Sequence, residues 1–170
     1  MEKRIPFVSI VGKSNVGKTT FLEKLIRELK DRNYRVAIIK HDCHGFDIDH
    51  PGKDTWRMAK AGSDVVVISS PNKMAIIKRT DQELSLDQLE EQIMGGVDII
   101  LTEGYKRGDK PKIEISREAV SNQLLCSKEE LLAVVTDQHF DIDVPYFGLD
   151  DAVGVADYLV AHVLARKKAP

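Results

Sequence analysis

The stretch Gly12-Lys13-Ser14-Asn15-Val16-Gly17-Lys18-Thr19 lies between a short apolar segment and an amphipathic one. The preceding segment, Pro6–Val11, is rich in β-branched residues, and the following one carries apolar side chains at helical spacing from Phe21 to Leu29. Two glycines, a lysine and a hydroxyl residue at this spacing are typical of a phosphate-binding loop. Glycines let successive backbone N–H groups converge on an anion, and a helix beginning there directs its positive dipole end at the same anion. The stretch therefore predicts a nucleoside triphosphate site on a strand–loop–helix unit.

Further apolar runs follow along the chain, and most are continuous rather than alternating. Because helical segments separate them, they favour a largely parallel sheet covered on both faces. We therefore expect an α/β fold, a P-loop NTPase-type three-layer α/β/α sandwich with a mostly parallel sheet, in a single domain over residues 1–170. The main runs are Arg35–Lys40, Asp64–Ser69, Val97–Glu103, Lys112–Ser116 and Leu131–Thr136.

Two local patterns supplement this fold. Lys73–Lys78 is expected to pair with Asp64–Ser69 as a hairpin across the turn at Pro71 and Asn72. The last helix is expected to begin by Asp150-Asp151 and to turn its apolar side chains toward the core, namely Val153, Ala156, Leu159, Val160, Val163 and Leu164.

Composition excludes several classes of function. The 170 residues include 25 Lys and Arg against 27 Asp and Glu, for a net charge of −2. This balance predicts no nucleic-acid partner and no binding to an anionic membrane. No apolar run approaches the ~20 residues that cross a bilayer, and the first residues lack the apolar stretch of a signal peptide. We expect a cytoplasmic protein whose two cysteines, Cys43 and Cys126, are reduced.

Within the phosphate loop, each residue type has a separate physical role. Lys18 can neutralise charge on the β- and γ-phosphates, and the Thr19 hydroxyl can bind Mg²⁺. A lysine directly after the first glycine, here Lys13, resembles loops of dimerising ATPases and GTPases in which that lysine reaches the nucleotide of the partner subunit. A solvated Lys13 is the alternative. The predicted nucleotide-binding residues of the loop are Gly12, Lys13, Ser14, Asn15, Val16, Gly17, Lys18, Thr19 and Thr20.

The segment 41–54 follows the second predicted strand, at the edge of the sheet where ligands bind in open α/β folds. Its acids, Asp47 and Asp49, are predicted to surround Mg²⁺ as part of a nucleotide-responsive loop. A soft-metal site and a solvated polar crossover are the alternatives, although the spacing does not match a structural zinc site. The nucleotide-contacting candidates here are His41, His44 and Lys53, and the soft-metal candidates are His41, Cys43, His44 and His50.

The ends of two later predicted strands carry further candidate binding residues. Glu103 ends an apolar strand and is followed by Gly104, so its carboxylate is predicted to hold Mg²⁺ and, with Lys18, to act in catalysis. Lys106 is expected to meet phosphate or another anionic ligand. Asp137 follows Leu131–Thr136, where an aspartate commonly accepts hydrogen bonds from N1 and N2 of guanine. Since the usual Asn-Lys-x-Asp signature is absent, these residues alone leave guanine and adenine open.

Three segments together resemble the molybdopterin-guanine dinucleotide biosynthesis B protein family: Gly12–Thr20, Lys40–Gly62 and Val97–Lys106. The middle segment is the most specific, since its histidines, acids and Pro51-Gly52-Lys53-Asp54 follow the family pattern nearly position by position. The match departs from the family at Lys13-Ser14-Asn15-Val16, where many relatives have small residues and no lysine, and at Cys43. After Arg117 the chain carries little family signal.

The resemblance implies a homodimeric GTPase with slow intrinsic turnover, using GTP and Mg²⁺. It would act as an adaptor that assists molybdopterin guanylyltransferase in joining GMP to molybdopterin, with molybdopterin itself a further candidate partner. An adaptor in which hydrolysis is incidental is a related hypothesis. The alternatives are a metal-insertion GTPase of the nickel-chaperone sort and a small-molecule kinase, since both would share the phosphate loop.

Overall fold

A computed structural model of the chain describes residues 4–93 and 95–165. By its contacts the chain divides into two compact units, one comprising Met1–His41 and Ile93–Pro170 and the other Asp42–Gln92. The strands are β1 Phe7–Val11, β2 Val36–Lys40, β3 Val65–Ser70, β4 Lys73–Lys78, β5 Ile99–Glu103, β6 Lys112–Ser116, β7 Leu131–Thr136 and β8 Tyr146–Phe147. The helices are α1 Lys18–Asp31, α2 Asp54–Lys60, α3 Leu86–Gln92 and α4 Ala152–Leu159.

The first unit is built on a six-stranded sheet in the order β2-β5-β1-β6-β7-β8, and every neighbouring pair is parallel. In the register of this sheet, Ile10 of β1 lies beside Glu103 at the end of β5 and beside Ile113 of β6. The loop after β1 therefore emerges next to the carboxyl end of β5. Parallel strands with helices between them give the α/β, P-loop NTPase-type fold that the sequence predicts.

One face of this sheet forms the apolar core with α1 and α4, which also contact each other. Continuous strand hydrophobicity is explained by burial, since all of β1 and β6 and most of β5 and β7 are inaccessible to solvent. The central core side chains are Val8, Ile10, Leu25, Leu29, Ile99, Leu101, Ile113, Val135, Val155 and Leu159.

The other face of β6 buries charge. Lys112, 2% exposed, donates to Glu130 Oε1 at 2.7 Å and to the carbonyl oxygen of Gly108 at 2.7 Å. The carboxylate of Glu114 accepts hydrogen bonds from the backbone N–H groups of Leu125 and Cys126 at 2.7 and 3.0 Å. Buried charges are tolerated when they are paired and hydrogen-bonded in this way. These bonds fix the connection between β6 and β7 against the sheet.

The second unit contains α2, the antiparallel hairpin of β3 and β4, and α3. The hairpin turns at Pro71 and Asn72, as the sequence predicts. It forms a two-stranded sheet of its own rather than a part of the parallel sheet. Its one deeply buried residue among the described strand positions is Val66, on the strand that contacts α2.

The expectation that Val153 faces the core is wrong. Asp151 caps α4 by accepting from the N–H of Gly154 at 2.9 Å, so the helix begins at Ala152. The buried stripe then runs through Ala152, Val155, Ala156 and Leu159, at the i, i+3, i+4 and i+7 positions, and Val153 is 50% exposed. No helix in the described ranges is both long enough and apolar enough to span a bilayer.

Candidate functional site

The loop between β1 and α1 has the backbone geometry of an anion cradle. Gly12 and Gly17 have φ of +148° and +97°, and Asn15 has φ of +63°. A Cβ at Gly12 would collide with the carbonyl oxygen of Ile115, so the loop can approach β6 only because that position is glycine. The N-cap position of α1 is Gly17, which has no side chain to cap the helix, so the first N–H groups of α1 face the loop where an anion could accept from them.

Lys18 curls back over this loop. Its Nζ donates to the carbonyl oxygens of Lys13 at 2.8 Å and Gly12 at 3.3 Å. Burial lowers the pKa of Lys18 from its ordinary value of 10.5; Lys106 and Lys40 lower it further, while Glu103 opposes the shift. The ammonium group is thus held above the loop by weak neutral acceptors, and an anion there would favour its charged form.

Thr19 and Glu103, which the sequence predicts as magnesium-binding residues, lie together. The Thr19 hydroxyl donates to Glu103 Oε1 at 3.1 Å, and Lys40 Nζ lies 3.7 Å from Glu103 Oε2. The register of β5 against β1 brings this carboxylate to the loop. The following residue, Gly104, has φ of +100°, and a Cβ there would lie 3.0 Å from the carbonyl oxygen of His41.

His41 and Lys106 stand at the same strand ends. The His41 N–H donates to the carbonyl oxygen of Glu103 at 2.9 Å, extending the β2–β5 pairing by one residue. The His41 ring centroid lies 5.0 Å from that of Tyr105, a contact that sequence reasoning missed. Lys106 is near enough to Lys18 for its charge to lower the pKa of that lysine. An anionic ligand on the loop would therefore meet several positive charges.

Lys13 and Asp137 both form hydrogen bonds with the connection that follows β6. Lys13 Nζ donates to Ser121 Oγ at 2.6 Å, and Asp137 Oδ1 accepts from the N–H of Glu118 at 2.7 Å. Gln138 Nε2 donates to the carbonyl oxygen of Ser121 at 2.7 Å, which ties this connection to the end of β7. Neither Ser121 nor Gln138 carries a sequence signal that could have found it. Lys13 reaching a partner's nucleotide and Asp137 reading guanine both stay predictions.

The other predicted candidates, His44, Asp47, Asp49 and Lys53, belong to the second unit. The N–H of His44 donates to Asp42 Oδ1 at 2.9 Å, and Lys53 directly precedes α2. Asp49 Oδ1 accepts from the N–H of His50 at 2.9 Å, whereas its buried Oδ2 has no hydrogen-bond partner in the described part of the chain. Asp49 therefore offers a desolvated carboxylate oxygen to a cation or a water molecule.

A metal centre built from protein side chains needs several ligands close together. Across residues 4–93 and 95–165, no three His, Cys, Asp or Glu side chains converge in a way that could hold an ion. The soft-metal interpretation of His41, Cys43, His44 and His50 therefore gains no structural support. Mg²⁺ needs fewer protein ligands, since it keeps several waters and binds proteins through one or two side chains together with phosphate oxygens.

A family model described as molybdopterin guanine dinucleotide synthesis protein B, MobB, matches residues 7–137. The chain belongs to the MobB family. The matched range contains the phosphate loop, segment 41–54 and the Glu103 strand, so the resemblance drawn from those three segments is confirmed.

Relatives match this MobB-family chain along most of its length. A molybdopterin-guanine dinucleotide biosynthesis adapter protein of Haemophilus influenzae is 39% identical over 160 residues, covering 94% of this chain and 90% of the relative. The protein of the same description from Escherichia coli is 34% identical over 161 residues, with 92% of each chain covered. A crystal structure of molybdopterin-guanine biosynthesis protein B superposes with a TM-score of 0.71 at 29% identity, over 91% of this chain and 98% of that one. The fold class is confirmed by this superposition.

Proposed function

We propose that this protein is a GTP-binding adapter in the synthesis of molybdopterin guanine dinucleotide, assisting the guanylyltransferase that joins GMP to molybdopterin. The observation that carries the proposal is the Thr19–Glu103 hydrogen bond of 3.1 Å beside the loop over which Lys18 is folded. Membership of the MobB family and the adapter descriptions of its relatives support a role in the synthesis of molybdopterin guanine dinucleotide.

The loop would bind a triphosphate through its backbone and through Lys18. Phosphate oxygens are stronger acceptors than the carbonyl oxygens of Gly12 and Lys13, to which Lys18 now donates. The ammonium group would therefore exchange these neutral partners for phosphate. The positive dipole end of α1 and the nearby charges of Lys40 and Lys106 also favour binding of an anion.

The residues present fit Mg²⁺. Thr19 Oγ1 would bind the ion directly, and Glu103 would hold it through water, as their 3.1 Å separation allows. From the sequence pattern, Asp47 and Asp49 stay proposed magnesium ligands, and Asp49 Oδ2, which has no hydrogen-bond partner among the described residues, suits a water or a cation. When bound, the ion would supply positive charge that offsets the negative charge of the phosphates.

The same contacts favour binding over rapid hydrolysis. Both oxygens of Glu103 face existing partners, Thr19 at one and Lys40 at the other, and this carboxylate is 13% exposed. A carboxylate so engaged positions groups around the phosphates rather than accepting a proton from water. We therefore propose slow turnover, with Lys18 and Glu103 as its essential residues and with the nucleotide acting mainly to set the shape of a partner-binding surface.

A homodimer is part of this proposal. One face of the β3–β4 hairpin carries four exposed apolar side chains, of which Val67 and Ile76 lie directly opposite each other. The four are Val65, Val67, Met74 and Ile76. Their exposed fractions lie between 44% and 57%, which is costly for a free surface. A second copy presenting the same hairpin would cover this face around a two-fold axis. Because Cys43 is a free and exposed thiol, we place this assembly in the reducing cytoplasm.

The test compares Lys18→Ala with Lys30→Ala by calorimetric titration of Mg·GTP into the full chain. Lys30 is an exposed lysine in the last turn of the same helix and serves as the matched control. Loss of a charge-assisted contact should weaken GTP binding by Lys18→Ala about 10- to 100-fold, and Lys30→Ala should bind as the parent does. Equal binding by the parent and Lys18→Ala would overturn the assignment of the phosphate site.

The choice of base is tested by competition. Labelled GTP bound to the parent should be displaced by unlabelled GTP at much lower concentration than by ATP. If ATP competes equally well, the guanine part of the proposal is wrong, although a triphosphate site would remain.

A further inference from the structure

A cleft of about 90 Å³ opens beside the phosphate loop, on the side of α1 that faces the start of α4. It is separate from the Lys18, Thr19 and Glu103 cluster. Its walls come from the loop and α1, from the end of β6, and from the segment between β8 and α4. The lining residues are Val16, Gly17, Thr20, Phe21, Lys24, Ile115, Arg117, Leu149 and Asp150.

The position of this cleft suits the nucleoside half of a nucleotide. Gly17 and Thr20 belong both to the phosphate loop region and to the wall of the cleft. A nucleotide whose phosphates follow the loop must therefore direct its sugar and base into the cleft or away into solvent. Lys24 lies one helical turn beyond Thr20, roughly 6 Å along the axis of α1, which is about the length of a ribose.

An ion pair forms part of the wall of the cleft. Lys24 Nζ lies 2.6 Å from Asp150 Oδ1, and the Asp150 side chain is 90% exposed. The pKa of Asp150 is held below its ordinary value by its hydrogen bond to Lys24 and by the charge of that lysine. Asp150 is thus a carboxylate at neutral pH, and a ligand that enters the cleft would displace Lys24 from it.

Apart from the ion pair with Lys24, no hydrogen bond of the Asp150 carboxylate is found among the described residues. The neighbouring Asp151 caps α4 through Gly154, and Asp150 takes part in that turn only through its carbonyl oxygen, which accepts from Ala152 at 3.0 Å. That backbone contact nevertheless fixes the residue at the mouth of the cleft. Its carboxylate is therefore oriented by Lys24 and takes no part in capping the helix, so it can be offered to a ligand.

We infer that this cleft binds the nucleoside of the nucleotide and that Asp150 reads guanine through N1–H and the N2 amino group. The inference rests on the proposed function, since it needs a triphosphate on the loop. Guanine presents two adjacent donors on that edge, which match the two oxygens of a carboxylate, whereas adenine presents no such pair. The Arg117 guanidinium and the Leu149 side chain supply flat and apolar walls for the purine.

The structure separates Asp150 from the rival candidate, Asp137. Asp137 does not line the cleft, and its Oδ1 already accepts from the N–H of Glu118 at 2.7 Å. That bond joins the connections after β6 and β7, which gives Asp137 a structural role. Asp150 can bind guanine while the hydrogen bond between Glu118 and Asp137 stays in place.

The experiment uses xanthosine triphosphate, whose base has a carbonyl oxygen where guanine has the N2 amino group. An amide can donate to that oxygen, so Asp150→Asn should weaken GTP binding and strengthen XTP binding, changing the GTP-to-XTP affinity ratio roughly 10- to 100-fold. Affinities of the full chain are measured with Mg²⁺ by displacement of labelled GTP and labelled XTP. Asp137→Asn and Asp143→Asn are made in parallel. Asp143 is an exposed acid whose pairing with Lys128 at 3.3 Å resembles that of Asp150 with Lys24.

The outcomes are distinguishable. Both control variants should leave the affinity ratio within about 3-fold of the parent, a difference near the limit of additive surface effects. An unchanged ratio in Asp150→Asn, or a switch in Asp137→Asn, would overturn the inference. Inorganic tripolyphosphate reports on the loop alone: it should bind the parent and Asp150→Asn equally, which also shows that the variant is folded. If neither GTP nor tripolyphosphate binds the parent, the proposed function fails and the inference fails with it.

Discussion

At the scale of single residues, Glu103 links three functions of the site. It accepts from Thr19, lies near Lys40, and raises the pKa of Lys18 against the effect of burial. We predict that Glu103→Gln reduces the stimulation of GTP binding by Mg²⁺ about 10-fold, because a neutral amide holds the waters of the ion weakly. Binding without Mg²⁺ should be unchanged or stronger, since the variant repels phosphate less. GTP titrations with Mg²⁺ and with a chelator measure both effects.

A second readout of Glu103→Gln is the pH dependence of GTP binding. Removal of the carboxylate should lower the pKa of Lys18 further, so its positive charge is lost at a lower pH. GTP affinity should then fall with rising pH earlier in the variant than in the parent, on the alkaline side below 10.5. Glu23→Gln, on an exposed position of α1, is the control and should behave as the parent. An unchanged response of Glu103→Gln to both Mg²⁺ and pH would remove Glu103 from the site.

The residue scale also shows what could be predicted from the sequence. Lys18, Thr19 and Glu103 were found because motif spacing and a strand end are local signals, and the parallel register brings them together. The contact of Lys13 with Ser121 joins positions 108 apart, and its partner is an ordinary serine in an irregular connection. Asp150 was read only as the start of a helix, since its place beside α1 depends on how α4 packs.

At the scale of secondary-structure elements, the β3–β4 hairpin is the part that sequence patterning described least well. The run Val65–Ile68 is continuously apolar, which is typical of a strand buried on both faces. The structure places it in a separate two-stranded sheet, with Val67 and Ile68 54% and 55% exposed. The hydrophobic pattern of a strand shows that its apolar face must be covered. It does not show whether the core of the same chain or another subunit covers that face. A second subunit can satisfy the pattern as well as a core can.

We predict that Val67→Lys converts the proposed dimer into a monomer. Val67 lies opposite Ile76 in the hairpin register, at the centre of the apolar face, and a lysine there would place a charge inside the interface. Ile68→Lys is the matched control, because Ile68 is equally exposed but points to the other face. Light scattering after size-exclusion chromatography gives the masses. A monomeric parent, or a dimer that survives Val67→Lys, would contradict this arrangement.

At the scale of the whole molecule, the small net charge of −2 conceals a local concentration of both signs. The charges of Glu103, Lys40 and Lys106 all act on Lys18, so both signs of charge that a bound triphosphate and its cation require lie together. The net charge does not reveal this cluster, because charges of opposite sign cancel in the sum. The strand order does reveal it, because parallel strands end at one edge of the sheet. The fold class was predictable for the same reason: continuous strands alternating with helices permit few other arrangements. The division into two units was not, since no composition shift marks residues 42–92.

We propose that, despite this division, the chain unfolds as a single domain, and nucleotide binding tests it. Mg·GTP at 100 times its dissociation constant should add about 2.7 kcal/mol to the free energy of unfolding. For a chain of this size that raises the Tm by about 5–10 °C. Differential scanning calorimetry should show one transition that moves as a whole with GTP in the parent and stays fixed in Lys18→Ala. Two transitions, of which GTP moves only one, would show that Asp42–Gln92 unfolds independently of the unit that carries the phosphate loop.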